Sequence, residues 1–209
     1  MSDLFVKICG LKTAHDVDVA VAAGADAVGF VFAPGSPRTV DAAVARELVA
    51  RVPEGVLTVG VFRGQSVDEV RRFAEESGVR GVQLHGEEGP EDFAALRAGA
   101  GAGAEGRTLL RATASRVARC GEYGEDLLLL DAPDPGSGEP WNWGAADFTA
   151  PEGRWLLAGG LNPGNVREAV EVTGAWGVDV SSGVESSRGV KSPDLIRAFI
   201  EAARGGSGA

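Results

Sequence analysis

Short apolar runs alternate with stretches of helical periodicity from one end of the chain to the other. The first run, residues 4–10, reads Leu-Phe-Val-Lys-Ile-Cys-Gly and sets the pattern. Side chains alternate across a strand. Leu4, Val6 and Ile8 therefore share one face, and Phe5, Lys7 and Cys9 share the other. Similar apolar runs predict strands over 27–32, 56–62, 79–85, 107–112, 126–131, 155–158 and 177–181. Helical spacing predicts helices over 14–23, 42–51, 115–120 and 163–173, two more opening at Ser66 and Pro90, and a last one from Ser192-Pro193 to about Arg204. Asp41 is placed as an N-cap. Ser66 is placed as another, with Glu69 completing a capping box. The pattern is thinnest for a helix between strands six and seven. Residues 99–106, rich in Ala and Gly, are expected to form a surface loop, and a long loop is expected over 132–143.

All-apolar strands in regular alternation with helices imply parallel pairing and right-handed crossovers. Eight such units close into a single-domain α/β fold, the (β/α)8 TIM barrel, here compact with short loops. An open doubly wound sheet is the competing architecture. It is disfavoured because no Gly-x-Gly-x-x-Gly follows the first strand. The barrel is expected to occupy residues 1–204, with 205–209 a disordered tail.

Composition narrows the partners. The chain has 209 residues, 44% of them hydrophobic, which is enough to fill a core. A net charge of −10 argues against nucleic acid and anionic membrane. Two cysteines and two histidines provide neither a disulfide framework nor a metal-ligand spacing. No apolar run is long enough to span a bilayer. The N-terminus enters a strand at once, without a signal-peptide pattern. A soluble cytoplasmic protein is expected.

In a barrel, chemistry collects at the C-terminal ends of the strands. Those ends carry Cys9, Phe32, Phe62, His85, Thr113, Asp131, Gly159-Gly160 and Ser181-Ser182, with Arg38 in the loop after strand two. Asp131 extends the inward row Leu127, Leu129, Asp131. Apolar walls there would raise its pKa and suit it to act as an acid. The plainer alternatives are a turn-capping aspartate and, for Cys9, a small buried hydrophobe. The Gly-rich turns at 158–163 and 179–185 follow strands seven and eight, where this fold often binds phosphate. Lys7 and Asp179 both point inward on strands that become neighbours when the barrel closes, so a buried pair would satisfy both. Arg111, Gln83 and His85 are candidates to extend that polar interior. Trp141, Trp143, Trp155 and Trp176 are expected to serve packing.

Taken together, several motifs resemble those of the phosphoribosylanthranilate isomerase family. They are Val-Lys-Ile-Cys-Gly-Leu at 6–11, Gly-Ala-Asp-Ala-Val-Gly-Phe-Val-Phe at 24–32 and Ser-Pro-Arg at 36–38. Val-Gly-Val-Phe at 59–62, Val-Gln-Leu-His-Gly at 82–86, Leu-Leu-Leu-Asp at 128–131 and Gly-Ser-Gly at 136–138 follow in order. Ala-Gly-Gly-Leu-Asn-Pro-Gly-Asn-Val at 158–166 and Val-Asp-Val-Ser-Ser-Gly-Val-Glu at 178–185 complete the set. The resemblance implies an Amadori rearrangement of N-(5′-phosphoribosyl)anthranilate in tryptophan biosynthesis, with a phosphosugar substrate and no metal or other cofactor. It implies Cys9 as general base and Asp131 as general acid. It implies Arg38 on the anthranilate carboxylate, His85 and Gly138 as further substrate contacts, and Gly159, Gly160, Ser182 and Gly183 around the phosphate. The stretch Glu139-Pro140-Trp141-Asn142-Trp143 departs from the family's usual Lys or Gln followed by Phe-Asp-Trp. The related isomerase of histidine biosynthesis, which has an Asp where Cys9 stands, and a barrel that only binds a phosphosugar are the alternatives. Oligomeric state and the means of activating Cys9 stay open.

Overall fold

All eight apolar runs become strands: β1 Phe5–Cys9, β2 Ala27–Val31, β3 Leu57–Phe62, β4 Gly81–Leu84, β5 Thr108–Thr113, β6 Leu127–Leu130, β7 Trp155–Leu157 and β8 Gly177–Val180. In the computed structural model, which describes residues 4–98, 106–115, 117–132 and 148–205, they form a closed barrel in chain order. Each pairs in parallel with its neighbours, and β1 closes on β8 with Lys7 opposite Asp179. Closure excludes the open doubly wound sheet.

Strand parity sorts the core into two layers. Cys9, Val31, Val59, Leu110, Leu127, Leu129 and Leu156 fill the inside of the barrel. Val6, Ile8, Phe30, Leu84, Leu128 and Leu130 face outward and pack under the helices. The helices are α1 Ala14–Ala22, α2 Ala42–Val49, α3 Val67–Ser77, α4 Pro90–Ala98, α5 Val166–Thr173 and α6 Pro193–Ala203. Their starts follow the capping chemistry. The Asp41 side chain accepts from Val44 N–H, and Ser66 with Glu69 forms the capping box. Ser192 caps α6, whose first turn carries Pro193. Among the described residues, no helix is long and apolar enough to cross a membrane.

Three expectations need correction. The described part of 114–125 contains turns and no helix. Gly121 and Gly124 take positive φ there, and Arg111 captures the Arg119 carbonyl at 2.9 Å that a helix would use internally. Arg111 also does not enter the barrel. Leu110 and Ala112 take the inward positions, so Arg111 points out to Glu125 at 2.9 Å and Glu122 at 3.0 Å. Its guanidinium lies 4.0 Å from the centre of the Tyr123 ring. Finally, α5 begins at Val166 and not at Pro163. Asn165 Oδ1 accepts from Asn162 N–H at 2.8 Å and Asn162 Oδ1 accepts from Gly164 N–H at 2.8 Å, holding 162–165 as a turn. The loop expected over 99–106 lies, apart from Gly106, outside the described residues. So do Gly138, the 132–143 loop beyond Ala132, Trp141, Trp143, and the tail beyond Gly205. Of the other tryptophans, Trp155 is buried and Trp176 stacks on Phe5 with ring centroids 4.9 Å apart.

One feature was not foreseen. After β8 the chain makes a 3-10 turn, Ser182–Val184, and then a small antiparallel hairpin of β9 Glu185–Ser187 and β10 Val190–Lys191. This hairpin lies at the rim where the candidate site sits.

The interior pair is as expected. Lys7 is fully buried, and its Nζ donates to Asp179 Oδ1 at 2.7 Å. Burial pulls the Lys7 pKa down, but Asp179 and Cys9 together more than offset it and the net direction is up. Lys7 is therefore held as an ammonium. Asp179→Ala should lower unfolding stability by roughly 3–5 kcal/mol, the usual cost of leaving a buried partner uncompensated. The double change Lys7→Met with Asp179→Leu should recover much of that loss. Denaturant titration measures both, and a loss below about 1 kcal/mol in the single variant would remove the pair from the stability of the barrel.

Candidate active site

At the C-terminal mouth of the barrel, β1 delivers Cys9 and β6 delivers Asp131 from different sectors of the ring. Both line one cavity of about 180 Å³, together with Arg38, Gln83, His85 and Ser181. Cys9 points inward by strand parity and is 6% exposed. Gly29, its cross-strand partner on β2, makes room for it: a Cβ there would stand 2.9 Å from Cys9 Sγ. Burial pushes the Cys9 thiol up; the Lys7 and Lys191 ammoniums oppose this and Asp179 reinforces it, and the net direction is up.

Asp131 follows the last residue of β6 and is 7% exposed. Its surroundings are not the apolar walls expected. Oδ1 accepts from the Ala132 N–H at 2.7 Å. His85 Nε2 stands 3.2 Å from Oδ2, within ion-pair reach but too oblique for a hydrogen bond. His85 thus sits against the acid candidate at the cavity wall. Gln83 enters the cavity two residues before it on the same face, so two of the three polar residues expected in the interior are there.

Arg38 reaches the cavity from the loop after β2. Its guanidinium is forked onto Glu185, with Nε to Oε1 at 2.6 Å and Nη2 to Oε2 at 2.9 Å. Gly10 lets this side chain lie over the tip of β1, since a Cβ at Gly10 would meet Arg38 Cδ at 2.7 Å. Glu185 also accepts from Lys191 Nζ at 3.0 Å. The Glu185 pKa falls to about 2 despite its burial, because Arg38, Gly189 N–H and Lys191 all favour the carboxylate. The spacing of the sequence carried no sign of this cluster, because Glu185 and Lys191 sit in the unforeseen hairpin. Arg63, next after β3, was missed as well; it lines the cavity beside His85.

The two Gly-rich turns meet each other. Gly159 and Gly160 have φ of 83° and 67°. A Cβ at Gly159 would stand 2.6 Å from the Ala132 backbone nitrogen, so this turn packs directly behind Asp131. Gly183 presses on the other turn: a Cβ there would fall 1.8 Å from the Leu161 carbonyl oxygen. Gly159, Gly160, Ser182 and Gly183 are thereby drawn into one continuous stretch of rim. Gly138 lies outside the described residues.

Comparisons with known proteins agree along the whole chain. A model of the family described as "N-(5'phosphoribosyl)anthranilate (PRA) isomerase" matches residues 6–202. The N-(5'-phosphoribosyl)anthranilate isomerase of Deinococcus radiodurans is 45% identical over 203 residues, which cover 95% of this chain and 96% of that protein. The crystal structure of TrpF from Jonesia denitrificans is 46% identical and superposes with a TM-score of 0.85, covering 97% of each chain. A further phosphoribosyl anthranilate isomerase was solved with reduced 1-(o-carboxyphenylamino)-1-deoxyribulose 5-phosphate. It is 35% identical, with a TM-score of 0.78, over 97% of this chain and 99% of that one.

The raised Cys9 pKa has a direct chemical consequence, since only the thiolate is a strong nucleophile. Alkylation of Cys9 in the free protein should keep accelerating with pH beyond about 10, more than a unit above the ordinary thiol pKa of about 8.5 and so past the point where an unperturbed thiol levels off. Peptide mass spectrometry after timed iodoacetamide treatment separates Cys9 from Cys120. A plateau for Cys9 at or below neutral pH would contradict the environment described.

Proposed function

This chain belongs to the N-(5'-phosphoribosyl)anthranilate isomerase family, and we propose that its isomerisation is carried by Cys9 as general base and Asp131 as general acid. One observation supports this above all: both groups line a single cavity at the strand ends, approached from different sides of the ring. A site that only held a phosphosugar would need neither a thiol nor a carboxyl there.

The reaction converts an aminoaldose into an aminoketose with no net gain or loss of atoms. Asp131, in its acid form, gives a proton to the furanose ring oxygen. The C1′–O bond breaks as the anilino nitrogen lone pair forms C1′=N, leaving an open-chain Schiff base. Cys9, as thiolate, removes the proton from C2′, and those electrons flow to nitrogen to give an enolamine. Tautomerisation places a proton on C1′ and leaves the ketone at C2′. None of these steps needs an external oxidant, because C2′ is oxidised as C1′ is reduced.

The remaining residues bind. Arg38 pairs with the anthranilate carboxylate, and His85 borders the sugar beside Asp131. Gly159, Gly160, Ser182 and Gly183 offer backbone N–H groups to the phosphate, the usual use of such turns in this fold. Gly138 is kept as a further substrate contact on the family resemblance alone. The working compartment is the cytoplasm, where a reducing environment keeps thiols such as Cys9 free; both cysteines are free here. The net charge of −10 disfavours nucleic acid as a partner. We assign residues 1–204 to the catalytic domain.

The test is Asp131→Asn, which keeps shape but cannot supply the proton. Turnover should fall at least ~100-fold, the scale of a lost general acid. Affinity for the reduced product analogue should persist. A turnover near that of the parent enzyme would remove Asp131 from the mechanism.

A further inference from the structure

Arg38 is proposed above as the group that meets the anthranilate carboxylate, yet it already holds one carboxylate of its own chain. The geometry of that internal pair says which part of the guanidinium is left for substrate. A guanidinium presents two bidentate edges. The Nε/Nη2 edge is taken by Glu185, at 2.6 and 2.9 Å. Nη1 donates to none of the described residues, and the Arg38 side chain lines the cavity with Cys9. The Nη1/Nη2 edge is therefore the one free for an incoming anion.

Glu185 is fixed from every side. Oε1 accepts from Arg38 Nε and from Lys191 Nζ at 3.0 Å. Oε2 accepts from Arg38 Nη2 and from Gly189 N–H at 2.9 Å. Its side chain is 4% exposed, and that of Lys191 is 2% exposed. Lys191 in turn donates to the Ser181 carbonyl at 2.7 Å, anchoring the hairpin to the end of β8. The hairpin also rests on the Arg38 loop, because a Cβ at Gly189 would stand 2.9 Å from the Pro37 carbonyl oxygen. Charge is conserved for binding as well. Two cations, Arg38 and Lys191, surround one carboxylate, so the cluster keeps a surplus positive charge for a substrate anion.

We propose that Glu185 is a positioning residue for substrate recognition: it locks Arg38 through one edge of the guanidinium so that the other edge faces the anthranilate carboxylate. Lys191 and Gly189 hold Glu185 in that role without touching substrate. This rests on the assignment of Arg38 to the carboxylate, and the test separates the two.

Two probes are compared by calorimetry on the intact protein: reduced 1-(o-carboxyphenylamino)-1-deoxyribulose 5-phosphate and the same compound without its carboxylate. In the parent protein the carboxylate should tighten binding roughly 10–100-fold, as expected for hydrogen bonds to a charged group. Arg38→Ala should abolish that increment. Glu185→Gln should cut it to below about 3-fold while the carboxylate-free probe still binds, because a carboxamide accepts only one of the two fork bonds. Equal losses for both probes in Glu185→Gln would mean a merely structural role and overturn the proposal. A full increment in Glu185→Gln would overturn it too. An increment that survives Arg38→Ala would instead overturn the assignment of Arg38 itself. If Glu185→Gln does not fold, Glu185→Asp carries the test, since its shorter arm keeps the charge but not the fork. An intermediate increment supports positioning, and an undiminished one overturns it.

Discussion

A lysine with no access to solvent stays charged only if another charge stays with it, and in this barrel that partner is Asp179. The pair joins β1 to β8, the first strand to the last, at the seam where the barrel closes. Register follows from it, because a slip of one residue on either strand would send one partner outward. With Lys7 inward, parity also puts Cys9 inward two residues on, at the mouth. The ammonium that stabilises the seam therefore lies beneath the thiol proposed to do the chemistry, and it is one of the two charges that oppose the upward push of burial on that thiol. Fold and site share a single electrostatic element.

The rim is built by a second set of charges on different elements. The loop after β2 brings Arg38, and the hairpin after β8 brings Glu185 and Lys191. Ser181 ties the hairpin to β1, since its hydroxyl donates to the Cys9 carbonyl at 3.2 Å and its own carbonyl accepts from Lys191. Glycines permit the approach. Gly10 passes the Arg38 side chain, Gly29 passes the Cys9 thiol, and Gly183 passes the turn after β7. A Cβ at any of the three would meet another group in less than 3 Å, so the glycines near the mouth reflect close packing as well as turning.

Much of this was legible in the residue pattern. Alternation along 4–10 placed Lys7 and Cys9 on the inner face, and the row Leu127, Leu129, Asp131 did the same for Asp131. Capping chemistry located α2, α3 and α6, because a cap is a short-range signal that depends on three or four neighbouring residues. The family resemblance named the residues at the mouth, and Cys9 in place of an aspartate set this chain apart from the histidine-pathway isomerase. What escaped was set by contacts distant in sequence. Arg111 sits in an apolar strand, and its partners on the outer face, Glu122 and Glu125, lie 11 and 14 residues further on. Glu185 and Arg38 lie 147 residues apart, so no local periodicity joins them. The two-residue strand β10 is too short to show any alternation, and its Lys191 could not be placed inside the rim.

The claim at the centre is that Cys9 takes the C2′ proton. Cys9→Ser keeps nearly the same size but replaces the thiol with a much weaker acid, so no appreciable anion is available near neutral pH. Turnover and affinity for the reduced product analogue, measured together on that one variant, test the claim most directly. Turnover should fall by about 10²–10⁴-fold, the range for loss of a positioned base, with affinity changed by no more than a few-fold. Near-parental turnover accompanied by lower thermal stability would show instead that Cys9 is a packing residue.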